Sequence, residues 1–154
     1  MRKIMTAMSL AGALSALPVW AQDISIELTN LTGGVYFTPL LLTAHAPGNH
    51  VFQVGIQASA NLQSMAEGGD ISGLVTELQA LGADIVQDPA GGPLAPGATA
   101  MASMTTATGN SVLSLVAMLL PTNDGFVDGC YVLATCCWQL YLLSKCLRCR
   151  YGGQ

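Results

Sequence analysis

The stretch SVLSLVAMLLPTNDGFVD, residues 111–128, decides the fold that we expect for this chain. It opens with a run, residues 112–120, that is apolar except for Ser114 and is shorter than the ~20 residues that span a bilayer. Its β-branched residues and its flanking turn signals favour a buried central strand. Pro121 ends the strand because proline cannot donate to a sheet ladder. The following Thr-Asn-Asp-Gly segment predicts a turn.

Asp124 is the candidate functional residue of this predicted turn. A rigid strand that delivers a carboxylate-bearing loop to the end of a sheet is a common setting for function. Asp and Asn are also frequent in turns for purely conformational reasons. The residues alone leave both interpretations open.

The N-terminus has the pattern of an export signal. Arg2 and Lys3 precede an apolar segment, residues 4–19, and a small residue, Ala21, ends the pattern. We expect a signal peptide over residues 1–21 and a secreted or periplasmic bacterial protein. The alternative is an uncleaved membrane anchor, which the short segment disfavours.

The charges are strongly segregated along the chain. All five basic residues lie at the two ends, and no Lys or Arg occurs between residues 4 and 144, where all nine acids lie. The charge distribution disfavours nucleic acid as a partner because phosphate binding needs clustered cations. Divalent cations fit better, since hard cations take oxygen ligands. The acids could also serve solubility alone.

The remaining chain is long enough for one domain with a single core. Residues 23–29 alternate as a half-buried strand, and residues 35–44 predict a second strand in which Pro39 indicates an edge or a bulge. Residues 58–67 and 71–81 predict two short helices on one side of a sheet, the first capped by Ser59.

The second half of the chain predicts further strands. Residues 84–86 are a candidate short strand. In the first half, residues 51–54 are either a short strand or the start of an irregular segment. Residues 98–108 alternate weakly and, across a Gly-Asn turn, predict a hairpin with the central strand. His45 and His50 lie in a Pro-Gly segment and are interpreted as surface-loop histidines.

Four segments in order carry a resemblance to a known family: TNLTGGVYFTPLLLTAH, VGIQASANLQSMAEGGD, DPAGGPLAPG and LLPTNDGF. Together they resemble bacterial spondin-domain proteins, similar to the N-terminal domain of F-spondin and mindin, over residues 24–127. The resemblance implies a mainly β, antiparallel, C2-like β-sandwich with one or two short helices and no known catalysis. It also implies a calcium site at one end of the sandwich, with Asp124 and Asp128 at the family's acidic positions.

Residues 129–154 depart from this family pattern. They hold all five cysteines and three basic residues but no acid, so we divide the chain into residues 1–21, 22–128 and an atypical tail, 129–154. The abrupt change suggests a frameshift, which resequencing the 3′ end of the gene would test. Residues 131–143 could replace the final strand, form a helix or stay disordered. The Cys146-x-x-Cys149 pair lacks a histidine or a second pair for zinc, and we interpret these thiols as incidental.

The export pattern together with the family resemblance implies an exported, non-enzymatic recognition or adhesion domain, and the resemblance implies that it binds calcium through Asp124 and Asp128. Its expected partner is a protein or carbohydrate surface ligand, without nucleic acid and without a stable membrane span after signal cleavage. One alternative is a secreted hydrolase that uses paired carboxylates; another is a frame-damaged product without function. The carboxylates considered for the hydrolase are Glu67, Asp70, Glu77 and Asp84.

Overall fold

Two packed β-sheets and a pair of helices make up the fold. The computed structural model describes residues 21–133 and the backbone of residues 138–142. The elements in chain order are β1 (Asp23–Asn30), β2 (Tyr36–Phe37), β3 (Leu41–His45), α1 (Ala60–Gly68), α2 (Ser72–Ala80), β4 (Asp84–Gln87), β5 (Thr99–Thr105), β6 (Val112–Leu120), β7 (Phe126–Val132) and β8 (Trp138–Leu142). The predicted mainly antiparallel β-sandwich with two short helices is confirmed. Among the described residues, no helix is both long and apolar enough to cross a membrane.

The smaller sheet has the strand order β5-β1-β8. β1 pairs antiparallel with β5 and parallel with β8. Its alternating sequence places Ile26 and Leu28 against the larger sheet, where both are almost fully buried. The polar residues between them face outward, as period-2 alternation requires.

The larger sheet is built around β6, which β3 and β7 flank. Leu113, Leu115 and Ala117 point into the core between the two sheets. Val116 and Met118 point to the opposite face, which the helices cover. Because both faces of the strand are buried, its sequence is almost continuously apolar, and the predicted central strand is confirmed.

A bulge at Pro39 divides the second predicted strand into β2 and β3. Phe37 lies opposite Leu119 and Leu41 lies opposite Val116, so three residues of one strand face two of β6. The Thr38 hydroxyl repairs the ladder by accepting a hydrogen bond from the Met118 N–H at 3.0 Å. The bulge that Pro39 predicted is therefore confirmed.

The two helices are defined by local signals and held by the core. The Ser59 hydroxyl accepts a hydrogen bond from the Leu62 N–H, and Gly69 ends α1 in a left-handed conformation (φ 71°). The apolar sides of the helices pack on the outer face of the larger sheet, as predicted. The buried helical residues in this contact are Leu62, Met65, Leu74, Val75 and Leu78.

One predicted strand pairing is wrong. β5 and β6 do not form a hairpin, because β5 pairs with β1 in one sheet while β6 lies between β3 and β7 in the other. The Gly109-Asn110 connection therefore crosses between sheets. For residues 51–54, of the two predicted alternatives, a short strand or the start of an irregular segment, the structure has the irregular segment. The short strand expected at residues 84–86 is confirmed as β4.

The sequence change at residue 128 falls inside β7, which continues to Val132. Of the three conformations considered for residues 131–143, the described part of this segment is extended: β8 joins the smaller sheet beside β1. The predicted signal peptide up to residue 20 lies outside the described residues, as does the Cys146-x-x-Cys149 pair.

Asn30, at the end of β1, ties three segments together. Its side-chain NH₂ donates to the carbonyl oxygens of Val35 (2.9 Å) and Leu94 (3.0 Å). Its side-chain oxygen accepts from the Thr32 backbone N–H (3.0 Å) and hydroxyl (2.7 Å). The residue is fully buried, so the loss of its amide would leave several polar groups without partners.

We expect Asn30→Ala to lower the free energy of unfolding by ~3 kcal/mol, since buried groups that lose their hydrogen bonds are costly. Denaturant unfolding of both proteins measures the difference. Asn61→Ala is the matched control, because the Asn61 amide donates only to the exposed Glu77 carboxylate, and it should cost less than ~1 kcal/mol. Equal losses for the two variants would contradict the central role of Asn30.

Candidate functional site at the turn between β6 and β7

The turn between β6 and β7, residues 121–125, is held by a small hydrogen-bond network. The Thr122 hydroxyl donates to the Leu119 carbonyl and accepts from the Gly125 N–H at 3.1 Å. The Leu119 N–H donates to the Gly125 carbonyl at 2.8 Å and closes the loop. Asp124 takes no part in this network, and its side chain is exposed at the end of the sandwich. The turn thus presents a carboxylate on a fixed backbone.

Asp128 is the third residue of β7 and lies opposite Val116. Its side chain is therefore on the face of the larger sheet that carries the helices. The carboxyl is partly buried, and desolvation raises its pKa to about 6. A desolvated carboxylate is unfavourable, and a nearby cation would favour its ionised form.

The structure does not assemble the two predicted calcium ligands into a complete coordination shell. Asp124 lies in the turn before β7, whereas Asp128 lies within the strand. Across the described ranges, no group of three or more His, Cys, Asp or Glu side chains is placed to hold a metal ion. Further oxygens would have to come from the Asn123 side chain and from carbonyl groups of the turn.

An irregular loop, residues 51–57, contacts the start of β7 and is here named the apolar loop. Phe52 contacts Phe126, the first residue of β7, edge to face with ring centroids 5.3 Å apart. The same loop exposes Val54 (85 %) and Ile56 (63 %) to solvent. The loop that contacts the start of β7 through Phe52 therefore exposes two apolar side chains.

A shallow cavity of about 160 Å³ lies beside the apolar loop. His50, Gln53 and Glu77 are among its polar lining residues. Its volume is below the ~300 Å³ at which small-molecule pockets usually begin. The structure thus offers a surface at this end rather than a deep pocket.

His45 is not a surface-loop histidine, and that prediction is wrong. It is the last residue of β3 and only 1 % exposed. Its Nδ1 donates to the Ala46 carbonyl, so Nε2 accepts from the Ser114 hydroxyl at 2.8 Å. The alternation of Leu41, Thr43 and His45 along one face was the sequence signal for this position.

The Ser114–His45 pair has the polarity of a serine nucleophile and its base, but burial separates it from any substrate. Ser114 is 3 % exposed on the central strand, and the orienting partner of His45 is a backbone carbonyl. We interpret the pair as a buried structural hydrogen bond on the face of the larger sheet that the helices cover.

Each of the carboxylates considered for a hydrolase accepts a hydrogen bond from another residue of the domain. Glu67 accepts from Gln63 of the same helix, and Glu77 accepts from Asn61 of α1. Hydrogen bonds from the side chain and backbone of Ser72 hold the pKa of Asp70 below its usual value. Asp84 lies in β4 and accepts from the Ala107 N–H (2.6 Å) and the Asn110 amide (2.9 Å).

The raised pKa of Asp128 gives a pH-dependent prediction. Because the folded-state pKa is above the unfolded value, ionisation of Asp128 costs stability as pH rises from ~4 through 6. In the presence of chelator we expect Asp128→Asn to be more stable than the parent above pH ~6.5, by roughly 1–2 kcal/mol after allowance for partial exposure. The gain should vanish near pH 4, where the folded parent is protonated.

Thermal melting from pH 4 to 8 measures this difference. Glu67→Gln is the matched control because that carboxylate is exposed and binds within its own helix. A pH-independent effect of Asp128→Asn would show that desolvation of the ionised carboxyl is not its cause.

Comparison with known proteins identifies the family of this chain. The Spondin_N family model matches residues 26–142. This range includes all of β6, all of β1 except its first residues, and both predicted acidic positions. No curated protein matches the chain. Spondin_N domains are non-catalytic and typically extracellular. Because the match spans most of the sequence, the chain belongs to the Spondin_N family.

Proposed function

We propose that this chain is an exported recognition domain of the adhesion type, which binds a protein or carbohydrate surface ligand. Family membership supports a non-enzymatic, extracellular role. The pattern of residues 1–21 supports export, to the periplasm or the cell exterior of a bacterium.

The structural feature that supports this role is the turn at residues 121–125, at the end of the sandwich. Hydrogen bonds of the Thr122 hydroxyl fix the backbone of this turn. Directly after the turn, Phe126 of β7 contacts Phe52 of the apolar loop. Val54 and Ile56 supply exposed apolar area, which on soluble proteins often marks a binding site. A rigid frame that carries an exposed mixed surface suits recognition.

Calcium is the proposed cofactor of this end. The ion takes 6–8 oxygen ligands, which Asp124, Asp128, the Asn123 side chain and turn carbonyls would contribute in part. The chain has no Lys or Arg between residues 4 and 144 to compete for these carboxylates. A cation beside Asp128 would also relieve the cost of its desolvated charge.

Calcium-dependent thermal melting tests this proposal. A ~100-fold excess of calcium over its Kd should stabilise the native state by ~2.7 kcal/mol and raise Tm by roughly 5–10 °C. Asp124→Asn should remove this rise because it removes a ligand charge. Glu67→Gln, an exposed acid on α1, should leave the rise unchanged.

The Asp128→Asn variant tests the same site through two expected changes in thermal stability. Asp128→Asn should raise Tm in chelator, where it removes an unfavourable charge, and should also abolish the calcium response. A cooperative transition without any calcium shift would reject the calcium site and leave the family-based recognition role standing. A calcium shift that survives both aspartate variants would place the ion elsewhere.

We also propose, from the abrupt change in cysteine and charge content after residue 128, that residues 129–154 arise from a frameshift. The segment begins inside β7, and the family match extends through β8 to residue 142. Resequencing the 3′ end of the gene distinguishes a genuine tail from a shifted reading frame.

A further inference from the structure

The shallow cavity beside the apolar loop combines a carboxylate with apolar side chains. Residues 50–53 and 56–59 supply most of its lining, and α2 contributes Glu77. Phe52 adds an aromatic ring, and Ile56 adds an aliphatic side chain that is 63 % exposed. A site of this composition suits a group that carries a positive charge on an apolar stem.

The Glu77 carboxylate is oriented by a neighbouring helix. The Asn61 amide of α1 donates to Oε2 of Glu77 at 2.9 Å. Within the described part of the chain, Oε1 of the same carboxylate accepts no hydrogen bond. Because an ionised carboxylate has about four acceptor positions, Glu77 can accept further donors without losing Asn61.

Gly73 leaves the space that this arrangement needs. It lies one turn before Glu77 in α2, where a Cβ atom would overlap the Asn61 side-chain oxygen and lie 2.8 Å from its Cγ. Glycine is a less favourable helix residue than alanine. The helix thus has a weak helix former at the position where a larger residue would displace Asn61 from the Glu77 carboxylate.

Charge complementarity identifies the kind of group that this carboxylate would bind. Residues 4–144 contain nine acids and no Lys or Arg, so the domain has no cationic side chain of its own to pair with Glu77. A surface of this charge attracts basic partners and repels acidic ones. The ligand of Glu77 is therefore expected to be a cation from another molecule.

The size of the cavity narrows the choice further. Its volume of about 160 Å³ is below the ~300 Å³ of usual small-molecule pockets, whereas a protein partner needs to insert only one anchoring side chain. Arginine matches the lining residues, because its guanidinium donates to a carboxylate in a fork and packs on aromatic rings. Its alkyl stem packs on apolar side chains.

We propose that this cavity is an anchor pocket for an arginine side chain of a partner protein. The guanidinium donates to Glu77, and the stem packs against Phe52 and Ile56. Val54 of the same loop, which is 85 % exposed, adds apolar contact area outside the cavity. This inference rests on the proposed recognition function and specifies its ligand as a basic protein surface.

An NMR titration of the isotope-labelled full chain tests the pocket with Nα-acetyl-arginine amide as the probe. We expect saturable shifts of the amide signals of residues 50–59 and of Glu77. Nα-acetyl-citrulline amide is the control ligand, because it has nearly the same shape but no charge. It should cause no saturable shift at these residues.

Glu77→Gln should raise the Kd for the arginine probe by at least ~5-fold, because it removes the charge of the acceptor. The variant keeps an oxygen that can accept from Asn61, so the helix pair is preserved. Glu67→Gln is the matched control: it removes the same charge from an exposed residue of α1 outside the cavity, and it should leave the Kd unchanged.

Three results would overturn the pocket: no saturable arginine shift, equal binding of the citrulline probe, or equal weakening by the two glutamate variants. Calcium-dependent melting of Glu77→Gln separates this inference from the proposed function, because the variant should keep the rise in Tm. A chain that responds to calcium without binding arginine would overturn the pocket and leave the proposed function standing. Arginine binding without a calcium response would support the pocket and reject the calcium site.

Discussion

The fold depends on one constraint, the burial of β6 on both faces. A strand of this kind is stable only when each face has its own cover. The smaller sheet covers Leu113, Leu115 and Ala117, and the helices cover Val116 and Met118. The bulge at Pro39 and the cross-sheet connection at Gly109-Asn110 both follow, because β3 must stay beside β6 while β5 crosses to the opposite sheet. The exposed turn at residues 121–125 is then fixed as the place where this buried strand emerges.

The absence of Lys and Arg between residues 4 and 144 shapes the electrostatics of the whole domain. The acids obtain favourable partners from backbone N–H groups and amides, as Asp84 does from Ala107 and Asn110. Asp128 faces the helix-covered side of its sheet, where desolvation by burial raises its pKa. In a domain without nearby Lys or Arg, the ionised Asp128 carboxylate is one that a bound cation would stabilise.

Buried polar groups in the core are paired almost throughout. The Asn30 side chain forms hydrogen bonds that join three segments, and the Ser114 hydroxyl forms a hydrogen bond with the His45 ring. Among the described side chains, Thr43 Oγ1 is the buried atom without a hydrogen-bond partner, and it lies opposite Ser114 on the helix-covered face. These contacts fix the register of β3 against β6, because a slip of one residue would move each polar group into the apolar core.

The sequence by itself determined the elements whose signals are local. The Ser59 cap, the Gly69 stop, the alternation of β1, the bulge at Pro39 and the apolar run of β6 all act within a few residues, and each was predictable. Tertiary structure decided the partners and the environments. β5 pairs with β1 rather than with β6, because strand pairing is a choice among distant segments that share the same alternation. The burial of His45 and the desolvation of Asp128 likewise arise from covering elements far away in the chain, since a residue's exposure depends on what packs over it.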